Sequence, residues 1–504
     1  MNSLPLLSLI VLTPWAGALV LALLPRLSAT ASRTLAFLFS LSTLALGLVA
    51  WTGFNPADTT FQFTEYHNWI ASLNVHYHLG LDGMSLLLVL LTGLVAPAAL
   101  LASWRIERDV RLFGLLFLLL QGAALGVFLA LDFFHWFIFW ELSLVPAFFL
   151  IKLWGGPGAA RAAYQFVIYT LAGSAFMLAG FAAIYGATGE LDFVRLAALA
   201  AKGTLAAQLG GAWIKVVFLG VFLGLAVKVP LFPFHTWLPS AYAEAPTGAS
   251  MFLTGVMSKM GVYGFLRILW PLFPAQLHAA ALPLLWLALA GVVLGAFAAM
   301  AQTDLKRMVA YSSINHLSYC LLALFAVAGA TAPAPAAAAA AFSGALLQMF
   351  NHGLSASALF LCVGILEARS GRRGLNDFGG VRTSAPIFAG LCGIAMFSSL
   401  GLPGLNGFVG EFLIFRGVFG LAPWAATVAC FGLLATALFL LTFWQRVFHG
   451  PVAGGAINFP DVNGLELATL LPGIALMFVL GILPQLLAGL INPLVTAWAA
   501  HLLP

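Results

Sequence analysis

The stretch Phe137–Leu150, which reads FIFWELSLVPAFFL, places one acidic residue, Glu141, inside an otherwise apolar run. The apolar window around it covers residues 133–151, a length of 19 residues. A helix of that length measures about 28 Å at the usual rise per residue, which matches the hydrocarbon thickness of a bilayer. We therefore expect Glu141 to lie near the middle of a transmembrane helix, where a carboxylate requires an explanation.

The composition places the whole chain in a membrane. Hydrophobic residues make up 62% of its 504 residues and charged residues 7%, whereas soluble domains carry about 25% charged residues. Helices and closed barrels are the structures that satisfy the backbone in lipid. The apolar runs are continuous and do not alternate with polar residues, so the sequence predicts an all-α integral membrane protein and not a barrel. The net charge of +5 gives no indication of a nucleic-acid partner.

The apolar windows predict about 14 transmembrane helices. The first has no basic segment before it and no clear cleavage site, so we interpret it as a retained helix and not a signal peptide. In chain order the predicted helices cover residues 4–24, 34–53, 80–102, 112–131, 133–151, 164–187, 212–243, 248–270, 281–300, 308–329, 337–366, 385–415, 424–445 and 466–495.

Basic residues in the loops predict the orientation of these helices. Loops that alternate along the chain carry 14 of the 21 lysine and arginine residues, and the intervening loops carry only Arg195, Lys202 and Arg416. The positive-inside rule then places both termini on the outer, periplasmic side of a bacterial inner membrane. Two further basic residues, Lys215 and Arg267, lie near helix ends, where we expect their side chains to snorkel to the outer surface.

Ionisable residues recur at positions where a helix would hold them at mid-membrane depth. A charge at the centre of a membrane helix costs about 2.5–3.5 kcal/mol on insertion scales, and such residues mark paths for ions or protons. Structural ion pairs that orient the helices are the alternative, but a set spread over six helices favours transport. The candidate proton-translocation residues are Glu141, Lys228, Lys259, His316, His352 and Glu411.

Two of these residues lie beside interruptions of the helical pattern. Lys228 lies in GLAVKVPLFPFHTWLPS, where Pro230 and Pro233 are incompatible with an unbroken helix. Glu411 follows SSLGLPGLNGFVG, where Pro403 lies among four glycines. We therefore predict that the seventh and the twelfth helices are both broken.

The positions of the broken helices predict an internal repeat. If helices 4–8 and 9–13 each form a five-helix unit, the broken helix is fourth in both units, and the second helix carries Glu141 in one and His316 in the other. A unit with an odd number of helices must be inverted when it is repeated in tandem, as in inverted-repeat transporters. The predicted organisation is an N-terminal three-helix segment at 1–110, inverted repeats at 111–270 and 281–450 that form the two halves of a proton channel, and a C-terminal helix at 451–504.

Polar side chains form stripes on the predicted tenth and eleventh helices. They recur at i, i+4 and i+7, which aligns them on one helical face, and they can hold water or bond between helices. A role in packing alone is the alternative, although histidine titrates near working pH. Lysines along the path favour protons over sodium, which would require more oxygen ligands. The stripes comprise Ser312, His316 and Tyr319 on one helix and Gln348, His352 and Ser355 on the other.

The remaining residues give no sign of catalytic or metal chemistry. His76 and His78 alternate in LNVHYHL, which predicts a solvated β-hairpin in an outer loop, and a metal pair with this spacing lacks further ligands. The four cysteines, the last of which is Cys430, lie in separate apolar runs and are interpreted as small buried hydrophobes. No phosphate-binding loop, haem motif or iron–sulfur spacing is present. We therefore expect no catalytic residue, no cofactor, no metal and no redox chemistry in this chain.

Several long motifs resemble the antiporter-like subunits of respiratory complex I, a proton-conducting transporter family that also occurs in Mrp-type antiporters and membrane-bound hydrogenases. The resemblance covers residues 80–450. It is strongest to the M-type subunit, because no long lateral helix follows the fourteenth span and Glu411 stands where L-type and N-type subunits usually have lysine. The motifs are HWFIFWELSLVP, KVPLFPFHTWLPSAYAEAPTGAS, LTGVMSKMGVYGFLRI, AYSSINHLSYC, NHGLSASALFLCVGIL and GLPGLNGFVGEF.

The resemblance implies a role for each buried charge. Glu141 and Lys228 would form the charged pair of the first half-channel. Lys259 would be the central proton carrier, joined through the histidines of the two polar stripes to Glu411 near the exit. The charged axis would then extend through both predicted repeats.

The resemblance also implies partners. Flavin, iron–sulfur clusters and quinone would be bound by other subunits, and L-type and N-type subunits would be neighbours in the lipid bilayer. The chain would be a non-redox subunit of a proton-translocating NADH:quinone oxidoreductase. The alternatives are a subunit of an Mrp-type cation/proton antiporter or of a proton-pumping membrane-bound hydrogenase, and a structural spacer without a pumping role.

Overall fold

The fold is a bundle of membrane-spanning helices. A computed structural model describes residues 4–332, 334–454 and 459–501. Eleven helices in these ranges are long and apolar enough to cross a membrane, and three further predicted spans are present as interrupted helices. The prediction of an all-α membrane protein is therefore confirmed.

The N-terminal segment consists of three helices and a β-hairpin. Asp82 starts the third helix, since its side chain accepts a hydrogen bond of 2.9 Å from Ser85 N. The Glu65 carboxylate in the hairpin accepts a hydrogen bond of 2.8 Å from Leu7 N, one of the unpaired N–H groups at the start of the first helix. The elements are α1 (Leu6–Leu23), α2 (Ala29–Gly53), β1 (Gln62–Ile70), a 3₁₀ turn (Ala71–Leu73), β2 (Val75–Leu81) and α3 (Gly83–Ala102).

The hairpin histidines are buried against the bundle, so the prediction that they are solvated is wrong. His76 and His78 are 5% and 8% exposed, and His78 Nδ1 lies 2.5 Å from Asp192 Oδ2. The physical reason is that a buried carboxylate needs hydrogen-bond partners. Burial acts to raise the pKa of Asp192, but the hydrogen bond with His78 acts against it, and the pKa ends below the usual value. The ionised Asp192 therefore stabilises this docking at neutral pH, and the contribution is lost as strong acid protonates the carboxyl.

Residues 110–272 contain the five spans of the predicted first repeat. The span that carries Glu141 divides at Ser143, because Pro146 has no N–H for the hydrogen bond four residues back. The helix that carries Lys228 ends at that residue, and the chain is irregular over 229–237. The elements are α4 (Val110–Leu129), α5 (Phe133–Leu142), α6 (Leu144–Trp154), α7 (Ala159–Thr188), α8 (Phe193–Ala201), α9 (Thr204–Leu209), α10 (Trp213–Lys228), α11 (Leu238–Glu244), α12 (Thr247–Phe252), a π-helical turn (Leu253–Met257), α13 (Lys259–Gly264), a second π-helical turn (Phe265–Leu269) and α14 (Trp270–Leu272).

Residues 274–454 contain the five spans of the predicted second repeat. The fourth span is interrupted at 400–405, where Gly401 and Gly404 have φ of +79° and +94°, a conformation that glycine adopts without strain. The elements are α15 (Pro274–Met300), α16 (Leu305–Ala328), α17 (Pro335–Ser370), a 3₁₀ turn (Leu375–Asp377), β3 (Phe378–Gly379), α18 (Val381–Ser384), α19 (Pro386–Ser399), α20 (Asn406–Leu421), α21 (Pro423–Phe448) and β4 (Ala453–Gly454), which pairs with β3.

The prediction of one C-terminal helix at 451–504 is wrong, because the described part of this segment holds two helices. They are α22 (Gly464–Ile482) and α23 (Gln485–His501). Pro484 separates them, since it lacks an N–H and excludes helical geometry at Leu483, whose φ and ψ are −121° and 60°. The interpretation of the cysteines also needs one correction, because Cys430 is exposed on the bundle surface while the other three are buried.

The helices that carry polar residues lie at the centre of the bundle. α16 and α17 are almost entirely buried, whereas only 28% of the apolar windows of α2 and α22 is buried. Glycines let α17 and α20 approach closely, because side chains at Gly344, Gly410 and Gly417 would collide with the opposite helix. This contact brings two of the predicted proton-translocation residues, one from each helix, towards each other.

We predict that Gly417→Ala destabilises the protein by about 1–3 kcal/mol, the usual cost of overpacking. The added methyl group would lie closer than 3.0 Å to backbone atoms of Ala341. Gly390→Ala is the matched control, because nothing lies within 4 Å of that position and alanine favours the helix. Thermal unfolding followed by reaction of the buried cysteines with a thiol-specific fluorophore measures both. Equal midpoints for the two variants would contradict the proposed packing.

Candidate functional site

Lys259 lies at the centre of the site and is held by an opened helical turn. Its ammonium group donates to the carbonyl oxygen of Thr254 and lies 3.2 Å from Ser258 Oγ. The Thr254 carbonyl also accepts from Ser258 Oγ at 2.7 Å. In the π-helical turn Ser258 N bonds to the carbonyl of Leu253 at 3.0 Å, one residue further back than in an α-helix. The Thr254 carbonyl is thus available to side chains.

His352 and His316 connect Lys259 to Glu411. Lys259 Nζ lies 2.8 Å from His352 Nδ1, and the imidazole rings of His352 and His316 have centroids 5.2 Å apart. His316 Nδ1 lies 3.1 Å from Glu411 Oε1. Gln348 Nε2 donates to the same oxygen at 3.2 Å. The four groups therefore form a line from α13 through α17 and α16 to α20, in which the two imidazole rings are in contact and the outer steps are within hydrogen-bond distance.

Every group on this line is buried. The exposed fractions are 0% for Lys259, 2% for His316, 3% for His352 and 5% for Glu411. Buried ionisable groups need partners, and these residues are partners of each other. None of the described residues forms a group of three or more side chains suited to a metal ion. The chemistry that these contacts support is the transfer of protons between nitrogen and oxygen atoms.

Glu141 on α5 and Lys228 at the end of α10 are not joined by a salt bridge in the described part of the chain. Lys228 Nζ lies 3.4 Å from Ser143 Oγ and 5.0 Å from the centre of the Trp140 ring. The ammonium group thus contacts residues on both sides of Glu141. One oxygen of Glu141 has no hydrogen-bond partner. The two ionisable groups are therefore neighbours without a salt bridge between them, and we call this arrangement an open contact.

The break between α19 and α20 is held by two asparagines that the sequence analysis did not single out. Asn351 Nδ2 donates to the carbonyl oxygen of Asn406 at 2.7 Å, and Asn406 Nδ2 donates to Asn351 Oδ1 at 3.1 Å. Ser398 Oγ donates to Asn406 Oδ1 at 2.6 Å. The Glu411 carboxylate lies over the same break. Its Oε2 atom is 2.6 Å from the point that a Cβ atom would occupy if residue 401 were not glycine. The sequence signal for this contact was Asn351, a polar residue next to His352 in an otherwise apolar helix.

The sequence family agrees with this geometry. The family described as NADH:quinone oxidoreductase/Mrp antiporter, transmembrane, matches residues 130–438. An NADH-quinone oxidoreductase subunit M of Rhodobacter capsulatus is 36% identical over 99% of this chain and 96% of its own length. The chain belongs to this family. Members named as subunit M are thus similar to it over nearly their full length.

Solved structures extend the similarity to three dimensions. A chain of respiratory complex I from Thermus thermophilus with bound NADH has a TM-score of 0.86 and 31% identity, covering 98% of this chain and 99% of that one. A chain of the Mrp complex from Dietzia has a TM-score of 0.82 and 21% identity over the full length of both. The second match shows a shared fold.

The prediction that Arg267 snorkels to the outer surface is wrong. Its guanidinium group is buried and lies 2.5 Å from the carboxylate of Asp82. Asp82 precedes Arg267 by 185 residues, so the local sequence of the eighth span contains no sign of this partner. A buried acid satisfies the arginine inside the bundle, and the side chain therefore has no need to reach water.

We predict that Asn406→Leu destabilises the protein by about 1–3 kcal/mol for each group left without a partner. The variant removes the acceptor of Ser398 and the donor to Asn351. Ser42→Ala is a control, because the Ser42 hydroxyl is exposed and bonds within its own helix. The thermal midpoint of the purified complex gives the comparison. A midpoint for Asn406→Leu no lower than that of Ser42→Ala would refute a structural role for the asparagine pair.

Proposed function

We propose that this chain is the proton-translocating membrane subunit of an NADH:quinone oxidoreductase. The observation that supports the proposal is the buried line from Lys259 through His352 and His316 to Glu411, with neighbouring groups close enough for hydrogen bonds or ring contact. Relatives named as subunits of NADH-quinone oxidoreductase associate this proton path with a redox complex. The chain itself carries protons, and the oxidation of NADH and reduction of quinone take place elsewhere in the complex.

The mechanism depends on the attraction between Glu141 and Lys228 across their open contact. When this attraction weakens, Lys228 approaches Lys259, and repulsion between like charges favours release of a proton from Lys259. His352 Nδ1, at 2.8 Å, accepts that proton. Transfer then proceeds through His316 to the Glu411 carboxylate. When Lys228 returns to Glu141, Lys259 regains a proton and the cycle repeats.

The free energy needed to move a proton against the membrane potential is similar to the change in proton affinity that this mechanism requires of Lys259. Moving one charge against a membrane potential of 100 mV costs about 2.3 kcal/mol. A hundredfold change in the proton affinity of Lys259 corresponds to about 2.7 kcal/mol. The approach of a second ammonium group in a buried site is sufficient for a change of this size, because charges interact strongly where water is excluded.

The proposed setting is the bacterial inner membrane, with both termini on the periplasmic side. Flavin, iron–sulfur clusters and quinone belong to partner subunits, and this chain holds no cofactor of its own. L-type and N-type subunits are its neighbours. A crevice of about 660 Å³ beside Glu141, lined by Phe137, Ile138 and other apolar residues, opens on the bundle surface.

An Mrp-type antiporter or a membrane-bound hydrogenase is the second candidate setting for the same proton path. The shared fold of the Mrp chain supports it, while the higher identity to NADH-quinone oxidoreductase subunits favours the first. The genes adjacent to this one separate the two, since each complex has its own partner subunits. A purely structural spacer would predict normal pumping after Glu141 and Lys259 are neutralised together.

We predict that Lys259→Met abolishes proton pumping by this subunit. The methionine side chain has a similar length but no proton to release, so the line to His352 is interrupted. Pumping is measured as acidification of membrane vesicles during NADH oxidation. Lys215→Met is the control, because Lys215 is exposed and remote from the line. A Lys259→Met complex that pumps with the normal ratio of protons to electrons would show that Lys259 is not the carrier.

A further inference from the structure

A second buried group of ionisable residues joins the start of α3 to the helical span of Lys259 and has no part in the mechanism above. Asp82 and Arg267 form an ion pair of 2.5 Å, and their side chains are 4% and 9% exposed. Such a pair contributes little net stability, because removing both charges from water costs as much as their attraction returns. Ionisable residues inside a membrane protein usually have a function. The question is what this pair does.

The pair belongs to a row of polar groups that starts at Tyr263, one helical turn beyond Lys259 on the same span. Lys259 and Tyr263 are four residues apart in α13 and therefore share a helical face. Arg267 Nε donates to Tyr263 Oη at 3.1 Å, and Tyr263 Oη lies 3.4 Å from Ser85 Oγ. Asp82, at the junction of the hairpin and α3, completes the row. Its members are groups that can pass protons, except for the arginine.

The row leads towards the end of the bundle that carries the β-hairpin. β2 ends at Leu81, directly before Asp82. Phe61, directly before β1, packs over the guanidinium group of Arg267, with the ring centre 4.7 Å from Cζ. The Tyr263 ring lies on the same group at 5.3 Å. The guanidinium is therefore enclosed between the hairpin and the span that carries Lys259.

The arginine opposes proton movement along this row in two ways. A fixed positive charge in a buried passage repels an arriving proton, as an arginine does in water-selective pores. Its contact with Asp82 also occupies the carboxylate, since one Asp82 oxygen bonds to Arg267 and the other accepts from Ser85 N at 2.9 Å. Arginine suits this role because it does not lose its own proton.

From this arrangement we infer that Arg267 is an electrostatic seal that prevents Lys259 from losing protons directly through Tyr263, Ser85 and Asp82 at the hairpin end. The inference rests on the proposed function, because it takes Lys259 as the proton carrier. It assigns Arg267 a role in coupling: protons leave Lys259 through His352 and not through a parallel route on its own helix. Loss of the seal leaves the path intact and adds a leak.

The decisive variant is Arg267→Met in the complete complex, reconstituted in liposomes. Without NADH, the decay of an imposed pH gradient is expected to be roughly tenfold faster than in the wild type, which corresponds to the loss of a barrier of about 1.4 kcal/mol. Arg267→Lys keeps the charge and should remain tight. Arg195→Met is the matched control, because Arg195 is a half-exposed arginine whose acidic partner, Glu190, lies five residues before it. Gradient decay that is unchanged in an assembled Arg267→Met complex would overturn the inference.

Two further variants separate a seal from a structural ion pair. Asp82→Asn breaks the same ion pair but leaves the positive charge in place, so a seal predicts a tight complex. A structural role predicts that Asp82→Asn and Arg267→Met leak equally, and that result would overturn the inference. If Arg267→Met fails to assemble, Arg267→Gln retains hydrogen-bond donors without the charge and should leak to the same extent.

A double variant tests whether the leak passes through the carrier. In Arg267→Met with Lys259→Met, gradient decay should return to the wild-type rate, because the carrier is missing. A leak that persists in the double variant would refute the inference, since protons would then be entering by a route that does not include Lys259. The proposed function is tested separately by pumping in Lys259→Met alone, so failure of one is distinguishable from failure of the other.

Discussion

A positive charge at the centre of this bundle depends on the local opening of the helix that carries it. In a regular α-helix every carbonyl is used by the backbone, and a buried ammonium group would have few acceptors of its own helix to contact. The π-helical turn before Lys259 makes the carbonyl of Thr254 available to side chains. His352 provides the remaining contact from a neighbouring helix. The position of Lys259, and with it the line to Glu411, follows from this single irregular turn.

Other buried ionisable residues also lie beside irregular segments of the backbone. Lys228 is the last residue of α10, and Glu411 lies opposite the glycine-rich break between α19 and α20. Their polar partners nevertheless come from other helices, since Lys228 contacts Ser143 Oγ, and Glu411 contacts His316 and Gln348. Irregular backbone is tolerated at membrane depth where it is buried in protein. The asparagine pair Asn351 and Asn406 shows how side chains stabilise such a segment.

Sequence alone predicted much of this architecture for identifiable physical reasons. Continuous apolar windows reveal membrane helices because lipid leaves few other structures, and prolines such as Pro230 reveal breaks because they lack an N–H. The stripes placed His316 and His352 on buried faces through helical periodicity. Pro484 carried the signal for the division of the C-terminal segment in the same way as the other prolines, but the surrounding apolar residues concealed it.

Contacts between distant parts of the chain could not be predicted in this way. The periodicity of one helix says which face is polar but not which helix it meets, so the 2.8 Å contact of Lys259 with His352 needed the structure. The same limit applies to Arg267, whose position near a helix end suggested exposure. Its partner Asp82 comes from another part of the chain, and the pair lies under the hairpin. The open contact between Glu141 and Lys228 likewise depends on how α5 and α10 are placed.

The glycine contacts between α17 and α20 have a mechanical consequence. Where backbones touch at Gly344, Gly410 and Gly417, the two helices cannot slide or rotate against each other without collision, so the half of the protein that holds His352 and Glu411 is stiff. The other half is more compliant, because the span of Glu141 divides at Ser143 and nine residues after Lys228 are irregular. In the proposed transport cycle, movement is therefore expected around Glu141 and Lys228, while protons pass between side chains of the stiff half.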